Sequence, residues 1–235
     1  MAKDLDSIEE IGIDTSGDKR DGRAKHSYPV PPRLSSRQLG VKRAIDLAAA
    51  IVSLPILVPL SAAIGIAIKL DSQGPVLYKQ TRIGKDGVPF TMYKFRSMRK
   101  DAEELRRKLD SLNEAEGPIF KMRKDPRVTR VGALLRKTSL DELPQMINVI
   151  QGNMSLVGPR PPLPDEVAQY SDHQSGRLAV KPGITCLWQV SGRSSLPFDK
   201  WVELDLEYIR RQSLWLDIKI LLKTILVVVK GTGAW

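Results

Sequence analysis

An apolar stretch broken by two prolines and flanked by basic residues at both ends, a glycine-centred pair of strand-like segments, and two amphipathic C-terminal segments predict a helix-rich α/β fold of the monotopic membrane type. In such a fold a re-entrant membrane helix enters one leaflet, a small β-hairpin follows, and amphipathic interfacial helices lie along the surface. The chain has 235 residues, which is room for one sizeable domain and an appendage. Its formal charge of +10 lies after residue 40, because the N-terminal segment nearly balances its own acids and bases. A basic body suits nucleic acid, anionic lipid or a polyanionic substrate, and composition does not choose among them. The single cysteine, Cys186, excludes an internal disulfide framework and fits a reducing compartment.

Residues 1–40 read as a disordered N-terminal tail in which acids, bases and glycines alternate around the proline-rich run Tyr28-Pro29-Val30-Pro31-Pro32. No basic segment there leads directly into an apolar run, so no signal peptide is expected. The domain is expected over 41–235, with the membrane helix at about 44–69. Ala44 to Ile68 carries one charge, Asp46, and is long enough to cross a bilayer as a straight helix. Pro55 and Pro59 oppose a straight crossing, since each removes a backbone donor and clashes with the preceding turn. The flanks oppose it too: Lys42 and Arg43 precede the stretch, and Lys69, Lys79, Arg82 and Lys85 follow it. Both ends are then expected in the cytoplasm. A helix that enters one leaflet, bends near the prolines and returns satisfies both flanks; a kinked spanning helix and a buried core helix are the alternatives.

Val76 to Phe95 reads as a hairpin whose turn is Gly84-Lys85-Asp86-Gly87. Lys94, Arg96, Arg99 and Lys100 then form a basic edge, which suits either a phosphate or protection of a sheet edge against aggregation. Asp101 to Leu112 has acid–base pairs at helical spacing and reads as a solvent-facing helix. Lys121 to Lys137 is strongly basic, and Asp125-Pro126 is expected to start a helix there.

The segment from Thr138 to Pro162 carries the most information. Asp141 and Glu142 are adjacent acids at the start of a short apolar-periodic segment, and Arg160 sits on a stiff loop, Gly158-Pro159-Arg160-Pro161. Carboxylates beside fixed arginines suit phosphate chemistry: the arginines hold the anion, and a carboxylate binds a divalent metal or attacks phosphorus. Ser139-Leu140-Asp141-Glu142 is also an S-x-x-E capping box, in which Glu142 would only reach back to a backbone N–H. The whole constellation of Arg136, Asp141-Glu142, Asn148 and the Arg160 loop favours the chemical reading. With GPVLYKQTRIG and YKFRSM upstream, DELPQ followed by SLVGPRP resembles the bacterial sugar transferase family, the monotopic polyprenyl-phosphate phosphoglycosyl transferases of the exopolysaccharide-initiating type. The resemblance runs from about Val41 to the C-terminus.

That resemblance implies a transfer of sugar-1-phosphate from a UDP-sugar to polyprenyl (undecaprenyl) phosphate, with release of UMP. Asp141 would be the nucleophile, leaving a phosphosugar on its carboxylate. Glu142, with Asp141, would hold Mg²⁺, and Arg136 and Arg160 would bind substrate phosphate. The family's re-entrant helix breaks at a Ser-Pro pair; here Pro59 takes the break position and Val58 stands where the serine would be, while Ser53 and Pro55 offer a second break. The implied setting is the cytoplasmic face of the inner membrane, with membrane lipid as a partner, downstream glycosyltransferases as possible ones, and no nucleic acid.

Pro182 to Thr185 and Gln189 to Arg193 form a second family-like element, with Gly183, Gly192 and Arg193 as a candidate nucleotide or substrate loop, or else an ordinary turn-rich loop. Cys186 stands where the family has a small residue. Phe198 to Arg211 is amphipathic, with Trp201, Leu204 and Tyr208 on one stripe, and Trp215 to Lys230 places Lys219, Lys223 and Lys230 on one face. All four tryptophans follow residue 187, as an interfacial half would have them. The rival from another class is a non-catalytic, membrane-bound basic adaptor. Nothing in the sequence distinguishes glucose, galactose or an amino sugar.

Overall fold

The computed structural model describes residues 34–230 apart from 110–111, 115–116, 121, 123 and 193–195. The expected tail therefore lies outside the described residues up to position 33, and its last residues already belong to the first helix. Ser35 starts that helix with a capping box: its hydroxyl accepts from the Gln38 N–H, and the Gln38 side chain accepts from the Ser35 N–H at 3.0 Å. Helix α1, Ser36–Asp71, has 36 residues and is the one described helix long and apolar enough to cross a membrane by length and composition. Pro55 and Pro59 both lie inside it. Neither has an N–H, so the carbonyls of Ile51 and Pro55 lose their intrahelical donors. Ser53 turns its hydroxyl back onto the Ala50 carbonyl at 2.8 Å.

Both ends of α1 dock on the same body. Near its start, Lys42 pairs with Asp217 at 2.6 Å, Asp46 accepts from the Ser155 hydroxyl at 2.7 Å and the Leu156 N–H at 3.2 Å, and Ala50 enters the main core. Near its end, Ile64 and Ile68 join Phe95 and Leu135 in a second core, and the Asp71 carboxylate accepts from the Val131 N–H at 3.0 Å. Between the two docks, Val52, Ile56 and Val58 are 76%, 72% and 61% exposed, so the described residues leave one face of the middle uncovered.

Strands β1, Leu77–Ile83, and β2, Pro89–Phe95, pair antiparallel as the sequence predicts, from Leu77 opposite Phe95 to Ile83 opposite Pro89. Asp86 and Gly87 supply the left-handed turn at φ 58° and 78°. Helix α2, Ala102–Leu109, is the short charged helix expected there. The basic segment departs from expectation: helix α3 spans Arg130–Lys137 and does not begin at Asp125-Pro126. The Asp125 carboxylate is taken by the Arg127 guanidinium at 2.7 Å, Val128 bridges to Met98, and Thr129 caps the helix by accepting from the Gly132 N–H at 3.0 Å.

Helix α4, Gln145–Gln151, leads through Gly152, in the left-handed region at φ 87°, to strand β3, Ser155–Val157. Two short helices, α5 (Pro164–Val167) and α6 (Asp172–Ser175), follow, and strand β4, Gly183–Thr185, then pairs with β3 in parallel. Asn148 is fully buried and completes the open edge of β2, accepting from the Tyr93 N–H at 3.1 Å and donating to the Thr91 carbonyl at 2.6 Å.

The main core gathers Val149, Met154, Val157, Trp188, Leu206 and Ile209 around helix α7, Phe198–Arg211. This corrects the interfacial reading of α7: Trp201 and Tyr208 are buried in that core and Leu204 packs against it. Trp188 and Trp201 stack on each other with ring centroids 4.1 Å apart. An amphipathic stripe buries itself equally well against protein or lipid, which is why the sequence pattern alone misplaced it. Helix α8, Leu214–Lys230, does present an exposed apolar strip, with Trp215, Ile218, Leu222 and Ile225 between 44% and 63% exposed.

Lys42 and Asp217 form a buried ion pair between α1 and α8, and the Tyr208 hydroxyl shares the same carboxylate at 2.8 Å. Removing one partner of a buried pair leaves a charge without compensation. Lys42→Ala should therefore destabilise the domain by about 3–5 kcal/mol, measured by urea unfolding in detergent micelles. The pair replacement Lys42→Met with Asp217→Leu should lose much less.

Candidate active site

The acidic turn is built by a reversal between two short helices. After α3 the Thr138 hydroxyl returns to the Leu134 carbonyl at 2.8 Å, and Ser139 enters the left-handed region at φ 57°. That conformation is unfavourable for a residue with a side chain by about 1 kcal/mol. A single 3-10 turn, Leu140–Glu142, follows, and Pro144 caps α4. Leu140 and Leu143 pack into the second core against the end of α1. The turn is thus pinned on its apolar side while Asp141 and Glu142 line a cavity of about 520 Å³. The capping box is not formed: Ser139 makes no side-chain cap, and the Glu142 carboxylate instead accepts from the Lys94 ammonium on β2 at 2.8 Å.

Ten basic side chains line this cavity against five acidic ones, so it favours an anion. Asp141 is 9% exposed, and burial together with the Glu142 charge pushes its carboxyl up to about 6, against the pull of Lys94 and Arg136. Burial also acts upward on Glu142, but the Lys94 ammonium, with help from Arg160 and Arg82, outweighs it and holds that carboxyl below its usual range. Two adjacent carboxylates are therefore driven apart in acidity by their surroundings. Arg136 donates to the Ser97 hydroxyl at 3.0 Å and keeps the rest of its fork toward the cavity. Arg160, on the loop after β3, is exposed and has neither hydrogen bond nor ion pair among the described residues. Its loop is set by a close backbone approach: a side chain on Gly183 would lie 2.1 Å from the Gly158 nitrogen.

Arg136, Asp141, Glu142 and Arg160 thus come together in one wall. Gly183 and Gly192 do not line the cavity, although Trp188 and Gln189 between them do, and Arg193 lies outside the described residues. Pro55 and Pro59 stay in α1. Sequence reasoning did not single out four further lining residues, Arg82, Lys94, Arg177 and Trp188, as site residues. For Arg82 and Lys94 the only signal was that basic side chains continue along the hairpin, where each also reads as a solvated edge; Arg177 and Trp188 lie far from it in sequence and carried no signal for this site. Arg177 is itself consumed by a buried pair with Asp205 at 2.6 Å and donates to the Tyr170 hydroxyl at 2.8 Å.

No group of three or more acidic, histidine or cysteine ligands converges among the described residues, so there is no all-protein metal cage. Asp141 and Glu142 on an open cavity nevertheless fit magnesium, which usually takes one or two carboxylates and fills its remaining positions with water and substrate phosphate.

Comparison with known proteins places this geometry in a family. The chain is 45% identical over 205 residues to the undecaprenyl-phosphate galactose phosphotransferase of Salmonella typhimurium, a match covering 86% of this chain and 42% of that protein. It is 43% identical over 213 residues to the UDP-glucose:undecaprenyl-phosphate glucose-1-phosphate transferase of Escherichia coli, covering 85% of this chain and 43% of that protein. It is 40% identical over 198 residues to the exopolysaccharide production protein ExoY of Rhizobium meliloti, covering 83% of this chain and 88% of that protein. The chain thus spans less than half the length of the first two relatives and most of the third. Residues 37–231 match the bacterial sugar transferase family as a whole, and the chain belongs to that family.

Proposed function

We propose that this protein transfers a sugar-1-phosphate from a UDP-sugar to a polyprenyl phosphate, releasing UMP, as an early membrane step of exopolysaccharide or surface-glycan assembly. The names of the relatives support the reaction class. The observation that carries the reading is Asp141: a buried carboxylate with a raised pKa, facing a strongly basic cavity between Lys94 and Arg136. An Asp141 oxygen attacks the sugar-bearing β-phosphorus. The bond from that phosphorus to the UMP oxygen breaks, and UMP leaves with the electron pair. A phosphate oxygen of the polyprenyl phosphate then attacks the same phosphorus, and the Asp141 carboxylate leaves unchanged. A raised pKa makes a stronger oxygen nucleophile, and an acyl phosphate is a reactive donor for the second step. Arg136 and Arg160 hold phosphoryl oxygens, Arg160 with a fork that lysine lacks. Glu142 with Asp141 would hold magnesium, which when bound neutralises charge on phosphate oxygens and on the leaving group.

The topology belongs to the same proposal. The exposed middle of α1 enters one leaflet and returns at the prolines, and the apolar strip of α8 lies at the surface, with the cavity on the cytoplasmic face. The docking of both ends of α1 on one body supports this. The adaptor reading needs Asp141 and Glu142 to be mere caps, and that cap is absent.

Asp141 must be ionised to attack. The rate should therefore be full above its pKa of about 6 and fall roughly tenfold per pH unit below it. Asp141→Asn should leave no more than a few per cent of UMP release, and only the unmutated chain should gain the mass of a phosphosugar when given UDP-sugar alone. A variant that kept its rate would refute the covalent step.

Glu142→Gln should raise the magnesium concentration needed for half-maximal rate by roughly tenfold or more, because an amide is a poor ligand for a hard cation. An unchanged magnesium titration would remove Glu142 from the metal.

Topology is testable because the native Cys186 is buried and its thiol is pushed well up, leaving it silent to thiol reagents. Cysteines placed at Arg37 and Gln73 should both resist an impermeant reagent on intact cells. Replacing Pro55 and Pro59 together with alanine should expose position 37. Labelling of position 37 in the chain with both prolines would mean a true span.

A further inference from the structure

The arginines in and around the cavity divide by how their charge is met. Arg127 and Arg177 are buried and paired with Asp125 and Asp205. Arg96 is buried beneath the end of α1, where it donates to the carbonyls of Ser72 and Pro75. Arg82 is different. It lies in β1 and is 6% exposed. Its fork donates to the Gln80 side-chain oxygen at 2.7 Å and 3.1 Å and to the Pro161 carbonyl at 3.0 Å, all neutral acceptors. Among the described residues no carboxylate lies within ion-pair distance of it. The two acids nearest by charge are engaged elsewhere: Glu142 binds Lys94, and Glu166 accepts from the Leu163 N–H at 2.9 Å. Its other strong neighbour is a cation, Arg160. Arginine is almost never buried without a counter-charge, because the desolvation of an unpaired ion is unfavourable by several kcal/mol. Here that burden is placed in the wall of a cavity, beside the free Arg160 and the acidic turn.

We propose that Arg82 is a phosphate-binding residue, whose missing counter-charge is a phosphoryl group of the substrate. This rests on the phosphoryl-transfer reading above. The bond to Pro161 ties the β1 guanidinium to the loop that carries Arg160, so the hairpin and the loop close on one anion from two directions. The anion is either the diphosphate of the nucleotide donor or the monophosphate of the lipid acceptor, and the two are separable by experiment.

Affinities for UDP and for farnesyl phosphate are measured separately on the full chain in detergent micelles, with melting temperature as the control for folding. Arg82→Gln should weaken binding of at least one ligand by about 10- to 100-fold, the range expected for a lost charge-assisted hydrogen bond. Loss confined to UDP assigns Arg82 to the donor, and loss confined to farnesyl phosphate assigns it to the acceptor. Gln80→Glu separates binding from structure and serves if Arg82→Gln does not fold. It keeps the Arg82 fork and its bond to Pro161 but supplies an internal carboxylate, so the melting temperature should hold or rise while phosphate affinity falls about tenfold. A stable Gln80→Glu chain that binds both ligands as tightly as the unmutated chain would overturn the proposal. If the unmutated chain binds neither ligand, the phosphoryl-transfer reading fails and this proposal fails with it.

Discussion

The carboxylate of Asp46, buried beneath the first turns of α1, joins the apolar helix to the strand that leads into the Arg160 loop. It accepts from the Ser155 hydroxyl and the Leu156 N–H, both on β3. One helical turn earlier, Lys42 reaches Asp217 of α8, and Tyr208 of α7 shares that carboxylate while lying 3.1 Å from the Val157 carbonyl. Charge is a poor source of stability in a core, but it is demanding in geometry: each group needs its partner at one distance and angle. Four elements are thereby fixed to one another where α1 leaves the protein. The far end of α1 needs no such network, because Ile64 and Ile68 bury themselves directly behind the acidic turn through Leu140 and Leu143.

The cavity reflects a second constraint, the division of cations between structure and chemistry. A wall this basic would repel itself without internal acids. Asp125 and Asp205 remove Arg127 and Arg177 from circulation as tightly held pairs, and Phe120 and Tyr170 stack on them. Lys94, Arg82, Arg136 and Arg160 then face two carboxylates that do not neutralise them fully. An excess of unmet positive charge weakens a fold and prepares an anion site, and the local strain at Ser139 belongs to the same trade.

How much of this was legible follows from what each signal is made of. The hairpin was legible because Asp86 and Gly87 announce a left-handed turn between two strand-like runs. The acidic turn was legible as a constellation, yet its geometry was not: S-x-x-E spells a capping box, and only the approach of Lys94 from a strand 48 residues away diverts Glu142. The late start of α3 has the same origin, since Asp125 can begin a helix or hold Arg127, and the bidentate pair wins. Trp188 and Trp201 misled because an aromatic on an amphipathic stripe is equally at home in a core and in a headgroup layer; Trp188 finds Trp201 instead of lipid. Arg82 was invisible for a related reason. In sequence it is one more cation after the apolar stretch, and its meaning appears only with its burial and with the absence, among the described residues, of an acid in ion-pair contact with it.

Under the proposed reading, one small cavity must admit a water-soluble nucleotide and then a lipid phosphate at the same phosphorus. The packing of the acidic turn on α1 bears on this directly. Because Leu140 and Leu143 sit on Ile64 and Ile68, the nucleophile is held at a fixed offset from the apolar helix, independent of any loop. A lipid whose tail lies beside α1 would then bring its phosphate toward Asp141 without a domain motion, and the orientational cost of the second step falls. The prolines matter in the same way. Under the same reading they would bend the exposed middle of α1, whereas 36 residues of straight helix would run about 54 Å along one axis. On that reading the prolines, the buried anchors and the turn act together to set the height of a carboxylate above a lipid surface.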